Sequence, residues 1–313
     1  MNLRRVIPAV AGALGATALA NRSLAATAGP LPPALAGREH TYRWRGFDVS
    51  YTEVGEPDAP DVLLLHGIHA AASAQEFDRI VDALAEDYHV VAPDLPGFGR
   101  SDRPAVTYTA ELYRSFVADF AAEVTDRPTV IASSLTGAYA VSAARQDPDL
   151  FDRLVLVCPT ANTGARRPGL RSLFRTPVVG TALFNLLTSK PSLRWFNGRD
   201  AYFSANGFDE ATVDYQWRTA HQQNARFAPA SFVGGFLDPD VDLGEELTAV
   251  DVPVTLVWGR DATYTPLALG RSLAEEADTR LVVFDRARLL PHAEHPKEFV
   301  ASLDEELPLL EHE

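Results

Sequence analysis

The sequence predicts an α/β fold: a mostly parallel sheet of about eight strands flanked by helices and interrupted by a helical insert. Three observations predict it. Short continuous apolar runs alternate with amphipathic stretches over residues 62–157, the alternation stops over residues 161–248, and it resumes at residue 254.

The first element is a hairpin. Residues 38–43 and 47–53 alternate apolar and polar around Arg45-Gly46, the period of half-buried antiparallel strands, and Gly55, Pro57 and Pro60 end it. Residues 62–65, 90–92, 129–132 and 154–157 are continuous apolar runs, the mark of strands buried on both faces. Between them, Phe77, Ile80, Val81 and Leu84 share one face of a helix, and Leu112, Phe116, Phe120 and Val124 share another. Strand–helix–strand alternation implies right-handed crossovers and a parallel sheet. Residues 161–248 carry helix-length patterns and many aromatics, Trp195, Phe196 and Trp217 among them, without a buried strand. Strand patterns return at residues 254–257 and 281–284. Thr265 reads as an N-cap, Pro266 as a first helical residue, and a last helix follows Pro296. The chain thus divides into an N-terminal segment and linker (1–37), a first core part (38–160), a helical lid (161–248) and a second core part (249–313).

Composition narrows the function classes. Of 313 residues 46% are apolar, enough for a sizeable core. A single cysteine, Cys158, excludes an internal disulfide and a cysteine zinc site, and no His/Glu pattern suggests a catalytic metal or cofactor. The net charge is −14, and Lys190 and Lys297 are the only lysines. Such an acidic, lysine-poor chain suits a high-salt interior; a genome favouring arginine codons gives the same signature. No basic stripe is present, which argues against nucleic acid as a partner.

The N-terminus differs in character. Arg4 and Arg5 precede an apolar stretch from Val6 to Ala20, followed by small residues at Ala25, Ala26 and Ala28. That is the layout of an export signal. The arginine pair resembles a twin-arginine signal, although Asn2-Leu3 and Val6-Ile7 do not complete it. The stretch is shorter than the ~20 residues of a bilayer span, and Pro8 and the glycines weaken it as a helix. Export or membrane association through residues 1–25 is one expectation; an arm packed on a cytoplasmic domain is the other.

Chemistry should sit beyond the carboxyl ends of the parallel strands. Three segments fall there. In Leu65-His66-Gly67-Ile68-His69, Gly67 permits a sharp turn, so that the Ile68 N–H can face a developing oxyanion. His66 reads as a residue holding the loop and His69 as lying at the pocket mouth. The second segment is Asp94-Leu95-Pro96-Gly97-Phe98-Gly99-Arg100-Ser101-Asp102, with Phe98 a pocket candidate. The third is Ala132-Ser133-Ser134-Leu135-Thr136-Gly137.

The second segment closely resembles the loop after the fourth strand of the α/β-hydrolase superfamily, in the lid-bearing branch that includes esterases and C–C bond hydrolases. The resemblance spans about residues 40–305 and is weak across the lid. It implies that Ser134 occupies the nucleophile position of the strand-to-helix elbow, with Thr136 in place of the usual small residue and Leu135 N–H as the second oxyanion donor. It implies that Asp261, in Trp258-Gly259-Arg260-Asp261, is the triad acid. It also exposes a departure. Aligning Pro291, Glu294 and Pro296 puts Leu289 where the catalytic histidine belongs. His292, three residues on, is then the first substitute base and His69 the second.

Two readings follow. One is a serine hydrolase acting on a small apolar ester or related acyl compound through Ser134, Asp261 and His292, without a cofactor. The other is a non-catalytic member that binds a small apolar ligand. A dehalogenase is excluded, because it needs a carboxylate where Ser134 stands.

Overall fold

The computed structural model describes residues 3–204 and 207–304, the side chains of 3–10 and 304 excepted. Eight strands form one sheet: β1 (Arg38–Trp44), β2 (Phe47–Val54), β3 (Asp61–Leu65), β4 (His89–Pro93), β5 (Thr129–Ser133), β6 (Arg153–Val157), β7 (Val254–Gly259) and β8 (Arg280–Phe284). Their order is β1-β2-β4-β3-β5-β6-β7-β8. β2 is antiparallel to both neighbours and the other pairs are parallel. The four central runs are buried residue after residue, because helices cover both faces. Between β3 and β5 the chain order reverses, which opens a crevice at their carboxyl ends.

On one face α3 (Ala110–Val124) and α4 (Leu135–Gln146) bury Tyr113, Phe116, Phe120 and Tyr139 in the larger core cluster. Thr109 caps α3 by accepting the Leu112 N–H, satisfying one of the amides that a helix start leaves open. The other face is shorter. The expected helix through Phe77 and Leu84 is two brief pieces, a 3₁₀ turn (Ala74–Phe77) and the single turn α2 (Val81–Leu84). All four expected apolar side chains are nevertheless buried. The break has a cause: the Ala74 N–H is held by Asp94 and Glu76 reaches back to the Gly67 N–H, so the first turn is tied to the strand ends.

Among the described residues, six α-helices and a π-helical turn (Asn197–Ala201) lie between β6 and β7: α5 (Pro168–Arg175), α6 (Val179–Leu187), α7 (Lys190–Phe196), α8 (Glu210–Ala220), α9 (Phe227–Val233) and α10 (Leu243–Thr248). After β7 come α11 (Leu267–Glu276), α12 (Pro291–Glu294) and α13 (Pro296–Asp304). α11 starts one residue later than the sequence suggested. Pro266 has extended backbone (ψ 144), and Thr265 gives its carbonyl to the fully buried Trp258 indole at 2.8 Å instead of capping the helix.

The N-terminal segment is helical despite Pro8: α1 (Leu3–Ala28) runs 26 residues. It packs on α6 and α8. Asn21 donates to the Val178 carbonyl and accepts from Asn185, both at 3.0 Å. Arg218 and Gln222 donate to the carbonyls of Ala28, Gly29 and Pro30. No helix among the described residues is long and apolar enough to cross a membrane. The side chains of Arg4 and Arg5 lie outside the described residues.

Candidate active site

The site begins at the corner between β5 and α4. Ser134 has φ 54 and ψ −127, a conformation that costs a non-glycine residue about 1–3 kcal/mol and persists only where the surroundings enforce it. Two bonds enforce it here. The Ser134 N–H donates to the Val157 carbonyl at 2.8 Å, and the Thr136 hydroxyl donates to the His66 carbonyl at 2.8 Å. Thr136 is fully buried, so the residue that replaces a small one does so by tying the corner to the loop after β3. Leu135 is the first residue of α4, where an amide has no acceptor within the helix and is available to an anion.

His66 is fully buried. Its Nε2 accepts the Leu95 N–H at 3.0 Å, and its Nδ1 donates to the Gly67 carbonyl at 2.8 Å. Burial lowers its pKa, so it is a neutral brace for the loop. The loop after β4 is braced likewise. Buried Asp94 accepts the N–H groups of Ala74 and Arg100, each at 2.8 Å. Gly99, at φ +48, lies so close that a Cβ would fall 1.9 Å from the Asp94 carboxyl carbon. The motif's glycine is thus dictated by that carboxylate.

A cavity of about 310 Å³ opens at the corner, at the lower end of the range for small-molecule sites. Ser133, Ser134, Gly67, Ile68, His69 and Glu76 line its floor. The helical insert supplies the roof through Leu187, Leu193, Phe196, Tyr202 and Phe232. Arg288 donates to the carbonyls of Gly198, Arg199 and Tyr202, and Glu294 accepts the N–H groups of Arg288 and Phe203, holding this roof to the segment after β8.

The residues expected at the site fall into two groups. Ser134, Ile68 and His69 lie on the cavity wall, and Leu135 follows directly behind. Asp261, His292 and Phe98 do not line it. The Asp261 N–H donates to the Ala287 carbonyl, and its carboxylate makes no hydrogen bond or ion pair among the described residues. Phe98 is buried edge-on against His66. Fully buried His292 sits between Phe77 and Phe299, ring centroids 5.3 and 5.7 Å away, with neither ring nitrogen hydrogen-bonded. Burial pushes its pKa down to about 3. Leu289 is where the aliphatic side chain was expected to matter, on the cavity wall.

His69 Nδ1 accepts the Ala71 N–H at 3.3 Å. Protein mass around the ring and the neighbouring His66 lower its pKa. His69 itself is exposed at the cavity mouth. One wall residue escaped the sequence reading altogether. The Glu76 side chain is 6% exposed, accepts the Gly67 N–H at 2.9 Å through Oε2, and has its pKa pushed up to about 7 by burial. In a chain with 42 acidic residues nothing marks this one out; its position directly before buried Phe77 is the only hint.

Comparison with known proteins agrees with this architecture. The chain is 29% identical over 254 residues to 2-hydroxy-6-oxononadienedioate/2-hydroxy-6-oxononatrienedioate hydrolase of Cupriavidus pinatubonensis, covering 77% of this chain and 84% of that protein. It is 28% identical over 263 residues to pimeloyl-[acyl-carrier protein] methyl ester esterase of Aeromonas hydrophila, covering 82% and 98%. The solved structure of 2-hydroxy-6-oxo-6-phenylhexa-2,4-dienoate hydrolase from a Rhodococcus strain superimposes with a TM-score of 0.71 at 21% identity, covering 86% and 97%. Residues 62–302, most of the sheet and the whole insert, match the alpha/beta hydrolase family, and the chain belongs to that family.

Proposed function

We propose that this chain is a serine hydrolase that cleaves a small, largely apolar ester or related acyl compound, with Ser134 as nucleophile. The observation that carries the reading is the corner itself. A serine held at positive φ, at the start of a helix and open to a cavity walled by aliphatic and aromatic side chains, has the geometry of a nucleophile elbow. Attack by its Oγ on a carbonyl carbon would leave the oxyanion facing the N–H groups of Ile68 and Leu135. The relatives support the reaction class, since one is named a methyl ester esterase and the other a 2-hydroxy-6-oxononadienedioate/2-hydroxy-6-oxononatrienedioate hydrolase.

One observation favours a second reading, a protein that binds a small apolar ligand without turning it over. Leu289 faces the cavity where a histidine would act, and His292 is turned into the core. Loss of the triad histidine commonly leaves only a residual rate.

Labelling with a fluorophosphonate probe separates the two. The hydrolase reading expects stoichiometric labelling that disappears in Ser134→Ala. No labelling of the folded wild-type protein at any pH, in high or low potassium chloride, would leave the binding reading standing.

A further inference from the structure

We propose that Glu76 is the proton acceptor of this site, standing in for the histidine that the segment after β8 lacks. The inference rests on Ser134 being the nucleophile.

The argument is one of placement. Gly67 has no side chain, and three groups converge on its bare face. A Cβ built there would stand 3.3 Å from Glu76 Oε2, 3.5 Å from Ser133 Cβ and 3.6 Å from Ser134 Cβ. The carboxyl and both serines therefore border the same bare face, with Glu76 Oε2 no more than about 7 Å from Ser134 Cβ. Ser133 Oγ has no hydrogen-bond partner, yet it lies close enough to the carboxyl to lower its pKa somewhat. In this role it would pass a proton between Ser134 and Glu76.

Glu76 is also chemically uncommitted. Buried Asp94 spends both oxygens on backbone amides. Glu246 is engaged by Arg145 and Ser142. Glu76 holds one hydrogen bond, from Gly67, and its Oε1 has none. His292 Nε2 stands 3.6 Å from that oxygen. A base works best when its pKa lies near the working pH. Glu76, at about 7, fits that condition, whereas fully buried His292 is pushed down to about 3.

The step balances with ester and water alone. As Ser134 Oγ bonds to the carbonyl carbon, its proton passes to Glu76, directly or through Ser133. When the bond to the leaving oxygen breaks, Glu76 returns the proton to that oxygen. A water then attacks the acyl-enzyme, gives its proton to Glu76, and the proton returns to Ser134 Oγ as the acid leaves.

Groups facing Glu76 from each packed element are His292 behind it, Tyr202 from the insert, Asp78 and Arg79 from its own turn, His69 from the loop after β3 and Ser133 from β5. His292 and Tyr202 are kept neutral by burial, and Asp78 and Arg79 set a carboxylate beside a guanidinium. His69 is the other titratable group at the cavity mouth, so a limb near pH 7 is assigned to Glu76 when it persists in His69→Gln.

The test is the pH dependence of Ser134 labelling by fluorophosphonate and of p-nitrophenyl butyrate hydrolysis, in the wild type and in Glu76→Gln. Glutamine keeps an acceptor for the Gly67 N–H and cannot take a proton. The wild type should rise with pH through an apparent pKa near 7, because the carboxylate is the active form. Glu76→Gln should fall by about 100-fold or more and lose that limb. Labelling of Glu76→Gln within threefold of the wild type overturns the proposal and leaves Ser134 as nucleophile. A wild type that never reacts overturns both. If Glu76→Gln does not fold, the wild-type profile decides alone: a rate that is flat across pH 7 removes Glu76 from the role.

Discussion

At the carboxyl end of β5 and at the carboxyl end of β8 the molecule has met the same requirement in different materials. The β5 corner is made of backbone. Its positive φ, its helix start and its amides are fixed by the Val157 carbonyl and by Thr136, and they tolerate threonine where a smaller residue is usual. The β8 end, on the proposed reading, would depend on one side chain, and Leu289 stands on the cavity wall at the position where a histidine is expected. The Asp261 carboxylate makes no hydrogen bond or ion pair among the described residues, and His292 is a fully buried core residue. Features carried by packing and main-chain bonds survive substitution, whereas a feature carried by one imidazole does not.

The sharpest way to break this comparison is to restore the lost side chain. Leu289→His should place an imidazole on the cavity wall and raise hydrolysis of p-nitrophenyl butyrate by about 100-fold. Asp261→Ala should cancel the gain in that background and change the wild-type rate by less than twofold. No gain from Leu289→His, in a folded protein that still labels at Ser134, would mean that position 289 is not where an imidazole reaches Ser134.

A smaller effect tests the corner. Thr136→Val removes the hydroxyl that ties it to the β3 loop and leaves the buried His66 carbonyl short of a donor. Denaturant unfolding should report a loss of about 1–3 kcal/mol, with a weaker drop in labelling rate. Unchanged stability would show that Thr136 does not hold the corner.

The smallest effect is expected at His292. Its folded-state pKa, about 3, lies below the ordinary 6.5. Its contribution is therefore full above pH 6.5 and is lost as pH falls toward 3, where unfolding lets it take a proton. His292→Leu should label within threefold of the wild type and resist acid unfolding to a lower pH. Glu76 works in the opposite sense: its raised pKa costs stability as pH rises from 4.5 through 7. A large loss of labelling in His292→Leu would return that residue to the chemistry.

The sheet was legible because strands buried on both faces must be apolar without interruption, and residues 62–65 and 129–132 are. Gly97 and Gly99 were legible as a motif, though the reason for Gly99, the Asp94 carboxylate beneath it, needed coordinates. Ser134 could be found by its neighbours. Glu76 could not, because its character comes from burial among segments distant in sequence, and a composition rich in acids hides it. His292 was misplaced by reading three residues along a helix as a reach into the pocket. The ring instead fills the space between Phe77 and Phe299, a matter of which side of α12 faces the core.

The N-terminal helix has a mechanical consequence. From Asn21 through Pro32 its polar links run to Val178, Asn185, Tyr215, Arg218 and Gln222, all within the insert, and only with Leu35 does this end of the chain enter the core of the sheet. Force or anchorage applied to residues 3–28 is thus delivered to the cover of the cavity before it reaches the platform beneath. Clipping that strap would slacken the cover while leaving the Ser134 corner as it stands.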